Sequence, residues 1–300
     1  MAADHQQKQT FIFEAGKVLP PLCHKFVTRV VAARNDGACD HRGTALMIRF
    51  GDQQAFVTAL HVLTEIERDA NYRSFGFSAV AEGGYVDIHR FEDVDVAVIF
   101  QREPVSPKDG NEFWSSERTD ASSKELASDY LLVHGYPDIF THFTTFLPGF
   151  VSESYTHFAA IRPRESTFSP KALSVVREQF PNYLPVPDSV MKPSQFAINY
   201  AEDSGPLRTA QGEEITSEAT LKSYSRLYSD GIAFAGQERH GAFGLSGSPV
   251  WRYGAIECTW SIDNWSKNLP SVTGIVTGWN EGCGIHIATP FSEITHRLFG

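Results

Sequence analysis

Cysteine is scarce in this 300-residue sequence. Four are present, Cys23, Cys39, Cys258 and Cys283, at irregular spacing. They are too few and too scattered for a disulfide framework, so they read as thiols of a reducing compartment, and a cytoplasmic location is expected. Cys23-His24 and Cys39-Asp40-His41 bring metal-ligating residue types together, but no C-x-x-C pair accompanies them, and no metal and no cofactor are expected. Long apolar runs are also missing: none approaches the ~20 residues of a membrane helix. The first residues, MAADHQQKQTFIFEAG, lack the basic stretch and apolar core of a secretion signal, so no membrane partner is expected. Basic clusters are the third absence. Lys and Arg number 26 against 36 Asp and Glu, for a net charge of −10. With no Lys/Arg patch interleaved with aromatics to replace phosphate counterions, nucleic acid is excluded as an expected partner.

What is present suits a large β-rich core. Hydrophobic residues make up 42% of the chain, and 23 glycines and 16 prolines are spread along its length, as short strands joined by turns require. Residues 26–34, 44–50, 54–58, 73–79 and 94–100 alternate or run apolar at strand length. The stretches DYLLVHGYP, QFAINY, GIAFAG, SPVWRY, SVTGIVTGW and GIHIATP do so in the second half. The expected class is all-β, with an N-terminal extension (1–22), a first β-domain (23–115), a linker (116–128) and a second β-domain (129–300). An irregular insertion occupies about 155–230. Two helices are expected. One has Ser169 as cap, Pro170 as first residue and Leu173, Val176 and Phe180 on a face. The other has Thr289 as cap, Pro290 as first residue and Phe291, Ile294 and Leu298 on a face.

Three stretches carry chemistry. A serine hydroxyl needs a base to become nucleophilic, and the base needs a carboxylate to fix its tautomer. In AFVTALHVL (55–63) an apolar strand runs into Thr58-Ala59 and delivers His61 where the strand ends. In DVDVAVIF (93–100), Val94, Val96 and Val98 share one face. Asp95 falls on the other with Ala97 and Ile99, and is expected to be drawn inward, while Asp93 reads as a solvated strand-entry residue. In GLSGSPVW (244–251), glycines at 244 and 247 let the backbone fold around Ser246, so that the N–H groups of Gly244 and Ser246 can converge on one oxyanion.

Together these stretches resemble the trypsin-like (chymotrypsin-fold) serine peptidases. The resemblance rests on Thr58-Ala59-Leu60-His61, Asp95-Val96-Ala97-Val98 and Gly244-Leu245-Ser246-Gly247-Ser248-Pro249, in the family's order of His, Asp, Ser. GIVTGW and GIHIATP with the final helix extend it, and coverage is roughly 26–150 and 231–300. The resemblance implies two antiparallel six-stranded β-barrels, a C-terminal helix and an active site in the cleft between the barrels. His61 would be general base and acid, Asp95 its orienter, Ser246 the nucleophile, and the amides of Gly244 and Ser246 the oxyanion hole. The implied pocket residues are His240, Thr277, Gly278, Trp279 and His286.

Departures narrow the expectation. Leu245 stands where digestive members carry an aspartate that pairs with a new N-terminus, so activation by that route is not expected and Arg29-Val30-Val31 reads as strand. Val62 follows His61 in place of a half-cystine, which resembles the bacterial intracellular branch, and no peptide-binding domain is expected after the terminal helix. His240 at the implied pocket base argues against a demand for Lys or Arg and for an acidic or polar substrate side chain. The expected function is a serine endopeptidase acting on protein or peptide substrates. Its restraint would come from narrow specificity, from occlusion by the 155–230 insertion or from a regulatory protein partner. The alternative is a catalytically silent peptidase-fold module for binding or scaffolding.

Overall fold

The computed structural model describes residues 5–80, 85–108, 110–119, 131–137, 141–143, 150–152, 154–159, 161–179, 185–199, 207–209, 214–215, 244–280 and 283–300. The chain opens with helix α1 (His5–His24). Strands β1 (Val27–Arg34), β2 (Cys39–Phe50) and β3 (Gln53–Ala59) follow, then helix α2 (Leu60–Arg68), then β4 (Tyr72–Phe77), β5 (Tyr85–Phe91), β6 (Val96–Gln101) and the short β7 (Trp114–Ser115). Beyond the connection come β8 (Leu131–Gly135), β9 (Thr141–Phe143), β10 (Phe150–Ser152), β11 (Tyr155–Ala159) and β12 (Ile161–Arg162), and helix α3 (Pro170–Gln179). The remainder comprises β13 (Phe196–Asn199), β14 (Leu207–Thr209), β15 (Glu214–Ile215), β16 (Pro249–Arg252), β17 (Ser271–Asn280), β18 (Ile285–Pro290) and the terminal helix α4 (Phe291–Phe299).

The fold is mostly sheet, as expected. Six strands of the first half pair antiparallel in the order β4-β1-β2-β3-β6-β5, with β7 added parallel to β2. This sheet curls until its edges approach, because Phe75 on β4 stacks on Tyr85 of β5 with ring centroids 5.5 Å apart. The second sheet has nine strands, and β12-β13-β18-β17-β16-β8-β11-β14-β15 is their order. The result is two curled antiparallel half-barrels and a C-terminal helix, an arrangement compatible with a chymotrypsin-like fold.

Alternation along β2, β3 and β6 explains why the halves pack together. Ala45, Met47, Phe56, Ala97 and Ile99 point into the first half-barrel. Their neighbours Leu46, Ile48, Val57, Val96 and Val98 point outward and meet Trp251, Val272, Ile275, Phe291 and Ile294 of the second half. A strand has only two faces, and here both are buried. Trp114 sits at this seam, edge-on to Trp251 at 4.8 Å and to Phe26 at 4.8 Å.

Several local expectations are revised. The N-terminal segment is a 20-residue helix, α1, with Phe11, Ala15, Leu19 and Cys23 buried in the inter-barrel core at a spacing of about one turn. Pro20 and Pro21 lie in its last stretch, and the helix ends at His24. Within 155–230, β11 pairs with β8, so that segment is a sheet strand, while β13 is the strand expected in QFAINY and pairs with β18. Helix α3 does start at Pro170, and the Ser169 hydroxyl accepts the Ala172 N–H at 3.2 Å. Phe180 and the GIAFAG stretch lie outside the described residues. Helix α4 begins at Phe291 with Pro290 as cap residue, and the Thr289 side chain is no cap. Its hydroxyl donates instead to the Val94 carbonyl at 2.7 Å. Among the described residues no helix is long and apolar enough to cross a membrane.

If α1 is part of the core, Leu19→Ala will lower the unfolding free energy by about 2–5 kcal/mol, as measured by denaturant titration. An unchanged unfolding midpoint would mean that the helix is not docked.

Candidate active site

His61 is the second residue of α2, which starts where β3 ends. The helix buries Leu60, Val62, Leu63 and Ile66 and leaves its N-terminal amides to be satisfied from outside. Asp95 supplies both partners. Its carbonyl accepts the Leu60 N–H at 3.0 Å, and its carboxylate oxygen Oδ1 accepts the His61 N–H at 2.9 Å. The other carboxylate oxygen, Oδ2, lies 2.6 Å from His61 Nδ1. A carboxylate at a helix N-terminus is favoured by the helix dipole, so one side chain both ends the helix and orients the imidazole.

The way Asp95 reaches this position differs from the expectation. It is not a strand residue buried by alternation: β6 begins one residue later, and the Asp95 side chain keeps 26% of its exposure. It sits in the turn after β5 with φ of +56°. That left-handed conformation disfavours most side chains but is tolerated by aspartate, and it turns the carboxylate out of the strand direction toward His61. Asp93, read as solvated, is exposed and bound to Arg297 at 2.6 Å, whose hydrogen bond holds its carboxyl below the usual range.

Ser246 comes from the other half. Its Oγ lies 3.0 Å from His61 Nε2, which completes a chain from serine through imidazole to carboxylate. The turn around it is fixed by Thr44 of β2. The Thr44 N–H donates to the Ser246 carbonyl at 2.9 Å, and the Thr44 hydroxyl donates to the Gly244 carbonyl at 3.0 Å while accepting the Tyr136 N–H at 2.9 Å. The Thr58 hydroxyl in turn donates to the Thr44 carbonyl at 2.7 Å. Gly247 is the point of closest approach. It has φ of +89°, and a Cβ there would fall 1.9 Å from the Thr44 carbonyl oxygen. Only glycine permits this contact. Leu245 is fully buried beneath the turn.

Among the described residues, the N–H groups of Gly244 and Ser246 donate to no protein acceptor. Gly247 N–H, by contrast, donates to the Val276 carbonyl at 2.7 Å and ties the turn to β17. On that strand Thr277, Gly278 and Trp279 run alongside β18. Trp279 opposes His286, with ring centroids 5.1 Å apart. His286 is 1% exposed, so Trp279 is the member of the pair that presents surface. The Thr277 hydroxyl is buried and accepts from the Gln195 amide at 3.2 Å. His240 lies outside the described residues.

The cysteine–histidine pairs point apart. Cys23 is in the inter-barrel core, and His24 faces His134 at 3.4 Å. Cys39 is exposed, Asp40 accepts the Tyr72 hydroxyl, and His41 bonds the Tyr136 carbonyl at 2.7 Å. Burial pushes the His41 pKa down to about 4, so its ring is neutral near pH 7. Among the described residues no group of three His, Cys, Asp or Glu side chains is placed to hold a metal ion.

The structure brings together the serine, histidine and aspartate singled out in the sequence, and adds Thr44 and Thr289, which the sequence did not assign to the site. Thr44 is a lone threonine that nothing local distinguishes from a packing residue, and the local pattern gave Thr289 a different role, that of a helix cap. No protein-family model and no curated protein matches this sequence.

Chemically, a hydroxyl facing an imidazole that is backed by a carboxylate can transfer its proton and attack an electrophilic carbon. Burial of His61 acts to lower its pKa, but the Asp95 hydrogen bond and charge, with a smaller contribution from Glu65, outweigh it and raise the pKa above 6.5. A raised histidine pKa favours the fold while the ring is charged. That contribution is complete below pH 6.5 and is lost as pH rises through the folded value. The His61 ring resonances should therefore titrate with a midpoint above 6.5, and Asp95→Asn should lower it. A midpoint that Asp95→Asn leaves in place would show that the two side chains are not coupled.

Proposed function

We propose that this protein is a serine endopeptidase with His61, Asp95 and Ser246 as its catalytic triad. The observation that carries the reading is the continuous hydrogen-bonded chain from Ser246 Oγ to His61 Nε2 at 3.0 Å and from His61 Nδ1 to Asp95 Oδ2 at 2.6 Å. It joins residues from both half-barrels beside two amides, of Gly244 and Ser246, that no described acceptor engages. The trypsin-like sequence contexts of the three residues give the same reading independently.

In the first half-reaction His61 Nε2 takes the Ser246 hydroxyl proton as Oγ bonds to the substrate carbonyl carbon. The carbonyl electrons move onto oxygen, where the Gly244 and Ser246 N–H groups receive them. Collapse of this intermediate breaks the C–N bond, with the proton on His61 passing to the leaving amine. Water then attacks the acyl ester by the same route: His61 takes its proton and returns it to Ser246 as the acid product leaves. Asp95 keeps its negative charge throughout and stabilises the imidazolium.

Thr277, Gly278 and Trp279 of β17 are the proposed substrate wall, because Gly247 N–H ties this strand to the Ser246 turn. No disulfide joins the four cysteines, all of which are described, and this suits the proposed cytoplasmic location.

A fluorophosphonate probe should label the wild-type protein at Ser246 and leave Ser246→Ala unlabelled. Equal labelling of the two would remove the proposal. Replacing His61 with alanine should reduce kcat/KM for a cleaved peptide by about 10⁴-fold or more. The wild-type kcat/KM should rise with pH through an inflection above 6.5, because the base must be neutral to accept the serine proton. A rate that falls across that range would contradict His61 as the base.

A further inference from the structure

The turn that presents Asp95 belongs to the first half-barrel, yet three successive residues in it are gripped by the second. The Glu92 carbonyl accepts from Lys192 Nζ at 3.3 Å. The Asp93 carboxylate accepts from Arg297 Nη2 at 2.6 Å and from its Nε at 3.4 Å. The Val94 carbonyl accepts the Thr289 hydroxyl proton at 2.7 Å in a buried contact. These three donors come from the segment before β13, from α4 and from the end of β18.

The Val94 contact has the most direct consequence. Peptide groups are planar, so fixing the Val94 carbonyl fixes the plane of the bond entering Asp95, while the Leu60 N–H on the Asp95 carbonyl fixes the plane leaving it, and the two together hold φ at +56°. A left-handed non-glycine residue is strained and persists only where its surroundings over-determine it. Those surroundings are ordered in one direction. Thr289 donates its only proton to Val94, so toward the Thr277 hydroxyl, 3.4 Å away, it can only accept, and Thr277 Oγ1 also faces the Ile287 carbonyl at 3.5 Å. Thr277 is then free to accept the Gln195 amide at 3.2 Å. Gln195, Thr277 and Thr289 thus lie in sequence behind the Val94 carbonyl. Arg297 is itself held by Glu293, through both the carbonyl at 3.0 Å and the carboxylate at 2.5 Å.

We propose that Thr289 is a positioning residue, supported by Arg297 and Lys192, through which the second half-barrel holds the Asp95 carboxylate against His61. The second half would then contribute twice to the site, once by carrying Ser246 and once by setting the orienter of the base. The proposal rests on the reading of His61 as the general base. None of the three donors touches the reacting atoms; each acts through the turn. The charges that face the His61 ring are Asp95 and Glu65, and those on the turn are Asp93, Lys192 and Arg297.

The test follows His61 by NMR titration and by peptide hydrolysis in the full chain, using Thr289→Val, Thr289→Ser and the exposed-pair variant Arg297→Gln. Thr289→Val should move the His61 midpoint down and reduce kcat on the order of 10- to 100-fold, with KM within about twofold. Thr289→Ser, which retains the hydroxyl, should restore most of both. Arg297→Gln should change both in the same direction by a smaller factor, and it provides the readout should Thr289→Val fail to fold. Wild-type midpoint and kcat in both Thr289→Val and Arg297→Gln would overturn the proposal while leaving the peptidase reading intact. A His61 midpoint that responds to Thr289→Val in a protein without hydrolytic activity would instead support the clamp and defeat the peptidase reading.

Discussion

The loop that carries Ser246 belongs to the second half-barrel but is hydrogen-bonded to a strand of the first. Thr44 on β2 uses its amide and its hydroxyl to hold this loop while Thr58 holds its carbonyl, and Gly247 lets the loop come close enough for that to happen. Everything else at the site depends on this docking, since the serine-to-imidazole contact of 3.0 Å spans the seam between the halves. The seam is stable for an ordinary reason. The central strands of the first sheet are apolar on both faces, and the outward face is covered by Trp251, Ile275, Phe291 and their neighbours. A packed core around the seam makes the relative position of two side chains on different sheets reproducible to the precision that proton transfer needs.

Docking also satisfies polar groups that each half leaves open. The Ser246 loop exposes carbonyls that Thr44 meets, and the turn holding Asp95 exposes carbonyls that Lys192 and Thr289 approach. Buried backbone groups left without partners would cost about as much as the bonds contribute, which opposes partial separation of the halves. Among the described residues the N–H groups of Gly244 and Ser246 meet no acceptor, and in the proposed chemistry they meet the developing oxyanion.

Legibility in the sequence followed the range of the interaction. His61 and Ser246 were visible because their local contexts, a strand running into Thr58-Ala59 and a glycine-flanked turn, are confined to a few residues. Asp95 was singled out from the strand pattern and does lie beside His61, but its expected burial on a strand face was not what the fold uses. A left-handed turn residue looks the same in one dimension as a strand residue. The β-rich class was legible from alternation. Helix α1 was not, since Pro20 and Pro21 argue against a helix and mask the one-turn spacing of Phe11, Ala15, Leu19 and Cys23. Thr44 and Thr289 were illegible for a different reason. The partners that define their roles lie from 92 residues away (Tyr136) to 246 − 44 = 202 residues away (Ser246), and no local pattern encodes those. Thr289 even had a plausible local role as a helix cap, and long-range bonding displaced it.

The central claim is that docking of the two halves makes Ser246 a nucleophile that forms an acyl-enzyme. The most direct measurement mixes the protein with an excess of a p-nitrophenyl ester, records p-nitrophenol release on the millisecond-to-second scale, and determines the intact mass after an acid quench. The account predicts a burst stoichiometric with protein and a mass gain equal to the acyl group, located on the peptide that contains Ser246. Release without a burst and without a Ser246 adduct, at a rate that Ser246→Ala leaves unchanged, would contradict it.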